Sequence, residues 1–227
     1  PALAARLHRM HAEHGVAGEV GRVARIEHRD DDGGAALPAA HRLHLGDGRT
    51  VDADVVVLAG GTVPDTALAE EAGLEVADGI LVDEAGRTSV PGILAVGDAA
   101  RATGSAWGPS PHWEPALRSG AAAAAALLGE EPEPPGAPWL WSDRHGCHVE
   151  AVGDMAVPPG GASVDREARG AAVASFVLDA EGRMRGAASI DDPMTVKAAR
   201  RIIDRGIVVD PQALADPTVP LKSLARG

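Results

Sequence analysis

Residues 92–96 form the apolar run Gly-Ile-Leu-Ala-Val, which leads directly into Gly97 and Asp98. A short apolar run that stops at a glycine is typical of a strand buried on both faces of a covered sheet. Such strands deliver their last residues to the carboxyl edge of the sheet, where α/β folds bind ligands. Gly97 lets the backbone approach a flat ligand, and the Asp98 carboxylate can accept hydrogen bonds from hydroxyl groups. The pattern therefore predicts an α/β fold, and at this strand end it fits either a ligand site or a buried strand followed by an ordinary Gly-Asp turn.

A second β-branched run, residues 55–58, also ends in glycines and predicts another buried strand. Before it, residues 2–14 suit a helix. Residues 16–27 and 41–45 suit the two strands of a hairpin, and the acidic residues 30–32 are expected at its solvated tip. The first part of the chain is thus predicted to mix helix and sheet.

Residues 66–72 and 115–128 are predicted to form helices, and residues 80–83 a short strand. The longer helix has Pro115 at its start and Gly129 just after its end, which are the positions that these residue types favour. This punctuation makes the helix the clearest one in the sequence.

A linker rich in proline and acidic residues, 130–136, indicates a domain boundary. The residues after it predict a small α+β domain with three strands and two helices: strands near 147–153, 171–179 and 184–190, and helices near 193–205 and 211–215.

Composition restricts the classes of partner. The chain has 227 residues, 45% of them apolar, which is enough for a substantial core. A net charge of −12 argues against a nucleic-acid or anionic-membrane binder, since both need a basic surface. The single cysteine excludes an internal disulfide and matches a reducing cytoplasm. No apolar run approaches the roughly 20 residues that span a bilayer, so no membrane anchor is expected.

One longer motif gives the strand end a more specific meaning. Residues 88–98 read Thr-Ser-Val-Pro-Gly-Ile-Leu-Ala-Val-Gly-Asp, which resembles the second flavin-binding motif of flavoproteins with two dinucleotide-binding domains. Four further segments resemble the ferredoxin reductases, and together they extend the resemblance from about residue 50 to the end: 61–65 (Gly-Thr-Val-Pro-Asp), 112–116 (His-Trp-Glu-Pro-Ala), 138–143 (Pro-Trp-Leu-Trp-Ser-Asp) and 210–224.

The resemblance implies a partial Rossmann-like fold with two dinucleotide-binding domains, followed by an α+β domain with a small antiparallel sheet. Residues 1–64 would complete the NAD(P)-binding domain, residues 65–129 the FAD-binding domain, and residues 138–227 would be the C-terminal reductase domain. The chain contains no G-x-G-x-x-G sequence, although the family uses two. Both glycine fingerprints are therefore expected upstream of Pro1.

The resemblance also implies FAD as the cofactor, NAD(P)H as the co-substrate, and these binding residues: Gly61, Pro64, Gly97, Asp98, Trp113, Glu114, Pro115 and Trp141. Asp98 would accept bonds from ribityl hydroxyls, while Trp113 and the helix start after it would lie beside the flavin ring. A purely packing role stays open for Trp113 and for Trp141.

No catalytic acid or base is predicted, because the flavin and the nicotinamide carry the redox chemistry. His8, His11 and His14 are spaced by three residues, but solvated surface histidines give the same pattern. No metal site is therefore predicted.

The function that the resemblance implies is electron transfer from NAD(P)H through FAD to a ferredoxin or similar iron–sulfur protein of an oxygenase or cytochrome P450 system. Four cations near the last long helix, Lys197, Arg200, Arg201 and Arg205, suggest a docking face for an acidic ferredoxin, and an ordinary solvated helix face explains them equally well. Two other functions stay open: a related flavoprotein with another acceptor, such as an NADH oxidase or nitrite reductase component, and a non-catalytic module. A homodimeric assembly also stays open.

Overall fold

The computed structural model describes residues 2–28, 40–104, 107 and 111–226. The described chain divides into two compact units, of which the smaller is His11–Thr62 and the larger comprises the rest. The predicted solvated tip at residues 30–32 lies outside the described residues. In the described parts of the chain, no helix is long and apolar enough to cross a membrane.

The smaller unit is built on a three-stranded antiparallel sheet in the order β1-β2-β3. Its strands are β1 (Val23–His28), β2 (His41–Leu45) and β3 (Thr50–Ala53). The predicted pairing of the first two strands is confirmed, with Arg25 opposite His44, but the first strand begins only at Val23, so residues 16–22 of the predicted strand are not part of it. The helix before them, α1 (Ala2–Glu13), is also confirmed, and its first residues belong to the larger unit.

The prediction of a buried strand at residues 55–58 is wrong for this structure. Val55, Val57 and Leu58 are 75–85% exposed, and these residues belong to none of the sheets. A β-branched run becomes a buried strand only when neighbouring strands satisfy its backbone and cover its faces. None of the described strands pairs with these residues.

The first part of the larger unit has little regular structure. Its elements are α2 (Ala67–Glu71), β4 (Val76–Ala77), β5 (Gly79–Val82), a 3₁₀ turn at Gly97–Ala99, β6 (Ala100–Ala102) and α3 (Trp113–Leu127). The strands β5 and β6 run parallel, and β4 pairs with β5 in the antiparallel sense. The predicted helices at 66–72 and 115–128 and the strand at 80–83 are confirmed.

The second predicted buried strand, residues 92–96, is also absent. The segment forms a turn with one isolated bridge between Arg87 and Leu94, and Ile93 donates its N–H to the carbonyl of Val90. Local hydrogen bonds thus take the place of a strand ladder, and Ile93 and Val96 are exposed.

The last part of the chain holds the main core. Five antiparallel strands lie in the order β7-β8-β11-β10-β9, and they are β7 (Trp139–Arg144), β8 (Cys147–Gly153), β9 (Ala162–Ala168), β10 (Ala171–Leu178) and β11 (Met184–Ile190). The three predicted strands are confirmed as β8, β10 and β11, whereas β7 and β9 were not predicted. One cluster of buried residues joins Phe176 of this sheet to Ile202 and Leu214, and a second packs Leu3 against Val149 and Ile190.

Three helices follow the sheet: α4 (Pro193–Asp204), α5 (Pro211–Ala215) and α6 (Leu221–Leu224). Asp192 caps α4 by accepting a hydrogen bond from the Thr195 N–H at 3.1 Å, and Pro193 occupies the first turn. Ala199 and Ile202 turn inward and are fully buried, which leaves the opposite side of α4 to solvent. The predicted helices at 193–205 and 211–215 are confirmed.

Candidate cofactor site

The turn at Gly97 and Asp98 lies directly against the first half of α3. The Gly97 N–H donates to Ser119 Oγ at 2.8 Å, and that hydroxyl donates to the Ala116 carbonyl at 2.8 Å. Gly97 has a φ of +72°, a conformation that glycine adopts without a steric penalty. The Asp98 side chain is exposed, and no hydrogen bond or ion pair engages it within the described parts of the chain. This carboxylate is therefore available to a ligand.

The N-terminus of α3 is the second component of the site. The N–H groups of the first helical turn have no acceptor inside a helix, so they give this end a partial positive charge. Pro115 fits in this turn because its missing N–H is not needed there. His112 precedes the helix in an extended conformation, and its carbonyl accepts the Ala116 N–H at 3.2 Å.

Glu114, also in the first turn of α3, is tied to the C-terminal part of the chain. Its Oε1 accepts a hydrogen bond from Arg200 Nη2 at 2.8 Å and lies 3.6 Å from Arg118 Nη1. The Glu114 side chain is only 14% exposed and that of Arg200 26%. The second carboxylate oxygen, Oε2, is buried and has no hydrogen-bond partner among the described residues. The ion pair thus leaves one buried acceptor unused.

Three tryptophans stack where α3 meets β7. The rings of Trp139 and Trp141 are nearly parallel, with centroids 4.9 Å apart, and Trp113 meets Trp141 edge-on at 5.8 Å. Trp139 packs against the main core, whereas Trp113 is 65% exposed. Two of the predicted site residues, Trp113 and Trp141, are therefore in contact, and both present aromatic surface to solvent.

Gly61 and Pro64 lie on either side of the division between the compact units. Gly61 belongs to the smaller unit, is exposed and has a φ of +104°. Pro64 belongs to the larger unit and is half-buried. Of the eight predicted residues, the larger unit gathers Gly97, Asp98 and the start of α3 into one region, and Trp141 joins them through Trp113.

This arrangement fits part of a flavin site. An exposed carboxylate suits hydroxyl groups, a helix N-terminus suits a ring edge that gains electron density, and exposed tryptophan surface suits a planar ring. A pyrophosphate needs a glycine-rich turn at a helix N-terminus, and the sequence contains no such motif. The residues present therefore fit the ribityl and ring portion of FAD.

The titratable groups outside this region do not form a competing centre. Burial, reinforced by Asp191, raises the pKa of the Cys147 thiol, which disfavours a reactive thiolate. Within residues 2–28, 40–104, 107 and 111–226, no group of three or more His, Cys, Asp and Glu side chains is placed to hold a metal ion. His8, His11 and His14 are included in that description.

Sequence reasoning missed two contributors to the region. Ser119 supports the Gly97 turn, but a serine within a helix carries no signal of such a contact. Arg200 was counted among four exposed cations, on either a docking face or an ordinary solvated helix face, and the structure corrects both interpretations for Arg200, because its guanidinium pairs with Glu114. These partners are 86 positions apart in the sequence, so no local pattern indicates the pairing.

Comparisons with known proteins give a consistent result. The family model of pyridine nucleotide-disulphide oxidoreductases matches residues 1–124, and a model of the reductase C-terminal domain matches residues 139–225. The chain is 36% identical to the ferredoxin–NAD(+) reductase component of an anthranilate 1,2-dioxygenase system from Burkholderia cepacia, over 83% of this chain and 49% of the relative. It is 34% identical to the corresponding component of a p-cumate 2,3-dioxygenase system from Pseudomonas putida, over 81% and 46%.

Solved structures agree. Putidaredoxin reductase in its covalent complex with putidaredoxin matches with a TM-score of 0.85 at 28% identity, over 100% of this chain and 54% of the other. The ferredoxin reductase for the CYP199A2 system of Rhodopseudomonas palustris matches with a TM-score of 0.83 at 28% identity, over 99% and 55%. The predicted fold class, a partial Rossmann-like flavoprotein fold followed by an α+β domain, is confirmed.

The chain spans about half the length of the relatives it matches. The two family models nevertheless account for nearly all of its own residues, and the first alone covers more than half of them. The chain belongs to the pyridine nucleotide-disulphide oxidoreductase family, in the ferredoxin reductase type.

Proposed function

We propose that the protein containing this chain is an FAD-dependent NAD(P)H oxidoreductase that passes electrons to a ferredoxin or similar iron–sulfur protein. The observation that carries the proposal is the exposed Asp98 carboxylate on a turn docked against the N-terminal half of α3. Relatives named as ferredoxin–NAD(+) reductase components of dioxygenase systems support the acceptor. Bound FAD would accept a hydride and release its electrons singly.

The residues of this chain would hold the cofactor rather than react. Asp98 would accept hydrogen bonds from the ribityl hydroxyls, and Gly97 would keep the backbone close to them. The first turn of α3, with Glu114 and Pro115, would face the ring edge where electron density rises on reduction. Trp113 and Trp141 would cover part of the ring and exclude water from it.

We further propose that residues 1–64, 65–129 and 138–227 are parts of the NAD(P)-binding, FAD-binding and C-terminal reductase domains, with Gly61 and Pro64 at the first crossing. The division of the structure after Thr62 supports the first boundary. Residues 2–10 depart from this scheme, because Arg6 Nη1 donates to the Ala172 carbonyl of the C-terminal sheet at 2.7 Å. The single cysteine supports a cytoplasmic location.

The docking face for an acidic ferredoxin is proposed on α4, in a form revised by the structure. Lys197 and Arg201 are exposed one turn apart, and they replace Arg200 as the principal cations of this face. On a chain with a net charge of −12, a local basic patch would orient an acidic partner during encounter.

Replacement of Asp98 tests the proposal. In the flavoprotein that contains this chain, Asp98→Ala removes a charged acceptor, a loss worth roughly 1.5–3 kcal/mol, and should raise the FAD dissociation constant by about tenfold or more. Fluorescence titration of apoprotein with FAD measures the change. Glu133→Ala, at an exposed carboxylate in the linker, is the matched control and should leave binding unchanged. Equal FAD affinity in Asp98→Ala and the parent protein would contradict the proposed site.

A further inference from the structure

We infer that Arg200 is a positioning residue for the flavin site, and that it acts through Glu114 by neutralising a carboxylate in the first turn of α3. The inference rests on the proposed function, because it requires the flavin ring to face that turn. It gives a role to the ion pair between Glu114 in α3 and Arg200 in α4, which lie on opposite sides of the linker at 130–136 in the sequence.

The contact is closer and better shielded than an ordinary surface ion pair. Arg200 Nη2 lies 2.8 Å from Glu114 Oε1, and both side chains are largely covered. Arg118 also approaches the carboxylate, but at 3.6 Å and with a more exposed side chain. Ion pairs that are partly buried are screened less by solvent than exposed ones, so Arg200 supplies most of the compensating charge.

Arg200 also belongs to a set of contacts that fixes the end of the linker. Asp204, one turn further along α4, lies 4.0 Å from Arg200 Nε and accepts the Ala137 N–H at 2.8 Å. Ala137 is fully buried and lies two residues before the start of the strand that carries Trp139 and Trp141. Arg118 completes the set by donating to the Pro134 carbonyl at 3.0 Å. The first turn of α3 and the tryptophan strand are thus held to the same face of α4.

The electrostatic consequence has a definite sign. A helix N-terminus contributes about half a positive charge, which favours the electron density that reduction adds to a nearby ring. An uncompensated Glu114 carboxylate in the same turn would oppose that density. With Arg200 paired to it, the carboxylate no longer cancels the positive end of α3. Arg200 therefore keeps the flavin easier to reduce than Glu114 alone would allow.

The test is a set of charge variants in the FAD-loaded flavoprotein, with the flavin midpoint potential as the readout. Arg200→Met should shift the potential to a more negative value, and Arg200→Lys should largely retain the parent value. Adding Glu114→Gln to Arg200→Met should return the potential toward the parent value, because the charge to be compensated is gone. Lys222→Met, at an exposed cation of α6, controls for loss of any positive charge.

Glu114→Gln alone gives an independent check should Arg200→Met fail to fold. It removes the negative charge from the first turn of α3 while Arg200 keeps its positive charge, and it should shift the potential to a less negative value. Thermal unfolding of each variant separates a structural role from the electrostatic one. Lower stability in Arg200→Met, with an unchanged potential and no reversal by Glu114→Gln, would overturn the inference.

The Asp98 variant distinguishes failure of this inference from failure of the proposed function. If Asp98→Ala weakens FAD binding while all Arg200 and Glu114 variants keep the parent potential, the flavin site stands and the role of Arg200 is wrong. If Asp98→Ala leaves FAD binding unchanged, the proposed site is wrong and the role of Arg200 falls with it.

Discussion

At the scale of single residues, Asp98 and Glu114 show how two nearby carboxylates differ in the roles open to them. Asp98 is exposed on a turn, whereas Glu114 is covered and paired with Arg200. Removal of Arg200 would leave this largely covered carboxylate with only the longer, 3.6 Å contact to Arg118, which should cost more than loss of an exposed surface pair. Asp98 can therefore serve a ligand directly, while Glu114 depends on its surroundings.

His148 allows a prediction about pH. Its Nδ1 lies 2.6 Å from Asp143 Oδ1 on the neighbouring strand, and this hydrogen bond, with help from Glu150, raises the pKa of His148 above its ordinary value of about 6.5. The protonated form thus stabilises the folded state. That contribution is complete below the unfolded pKa and is lost as the pH rises through the higher folded pKa.

Asp143→Asn should lower the pKa of His148, and an NMR titration of the imidazole resonances measures the shift. In the parent protein, the free energy of unfolding should fall as the pH rises above about 6.5. In Asp143→Asn this fall should be smaller, and denaturant unfolding at several pH values measures it. His112→Gln, at an exposed histidine, should leave that decline intact. An unaltered His148 titration in Asp143→Asn would show that the contact does not hold the proton.

At the scale of elements, the sequence predicted those whose stability is local and misread those that depend on distant partners. The helix α4 was predicted because what stabilises it is local: its apolar face follows the helical period, Asp192 caps it and Pro193 occupies its first turn. Residues 55–58 have an equally clear strand pattern, yet no described strand pairs with them. The strand β7 was missed because its tryptophans and charged residues do not alternate as a half-buried strand should.

The exposed face of α4 gives the prediction at this scale. Reversing both Lys197 and Arg201 to Glu should raise the KM for an acidic ferredoxin and leave ferricyanide reduction unchanged, because a small acceptor needs no docking face. The effect should shrink with added salt, since exposed charges are screened over about 8–10 Å at ordinary ionic strength. Steady-state kinetics with the two acceptors at several salt concentrations measures this.

Arg9→Glu is the matched control, because Arg9 is an exposed cation on another helix, α1. Arg9→Glu should leave ferricyanide reduction unchanged. It should alter the KM for ferredoxin only by the small, long-range effect of changing one charge. Equal losses with ferredoxin and ferricyanide in the α4 variant would point to damaged folding instead of a lost docking face.

At the scale of the whole molecule, the C-terminal sheet and the segment at residues 55–58 differ in how much of their apolar surface is buried. The C-terminal sheet encloses a core in which Phe176, Ile202 and Leu214 are fully buried. By contrast, Val57 and Leu58 expose most of their apolar surface. Neighbouring apolar side chains that are exposed in this way usually mark a surface that another part of the protein or a partner covers. A motif was enough to predict the candidate site residues, but the environment of each depends on the packing of segments far apart in the sequence.

A chain consisting of residues 1–227 alone should neither retain FAD stoichiometrically nor oxidise NAD(P)H. Its sequence contains no G-x-G-x-x-G motif for a pyrophosphate, so under the proposed function it would supply only the ribityl and ring side of the flavin site. The absorbance of the purified chain near the flavin bands, with an NADH oxidation assay, tests this. One FAD per chain together with NADH-dependent acceptor reduction would contradict this prediction.

In the same isolated chain, amide hydrogen exchange should be slowest in the strands β10 and β11.

The tryptophan cluster makes the intrinsic fluorescence of this protein sensitive to one contact, that between α3 and β7. The sequence has four tryptophans and no tyrosine, and three of the four indoles touch one another where α3 meets β7. Three of the four indoles therefore report whether those two elements remain together, Trp107 reports on the core that it packs against, and far-ultraviolet circular dichroism reports the whole sheet and all helices. When α3 separates from β7 before the sheet melts, the emission spectrum changes at a lower temperature than the dichroism.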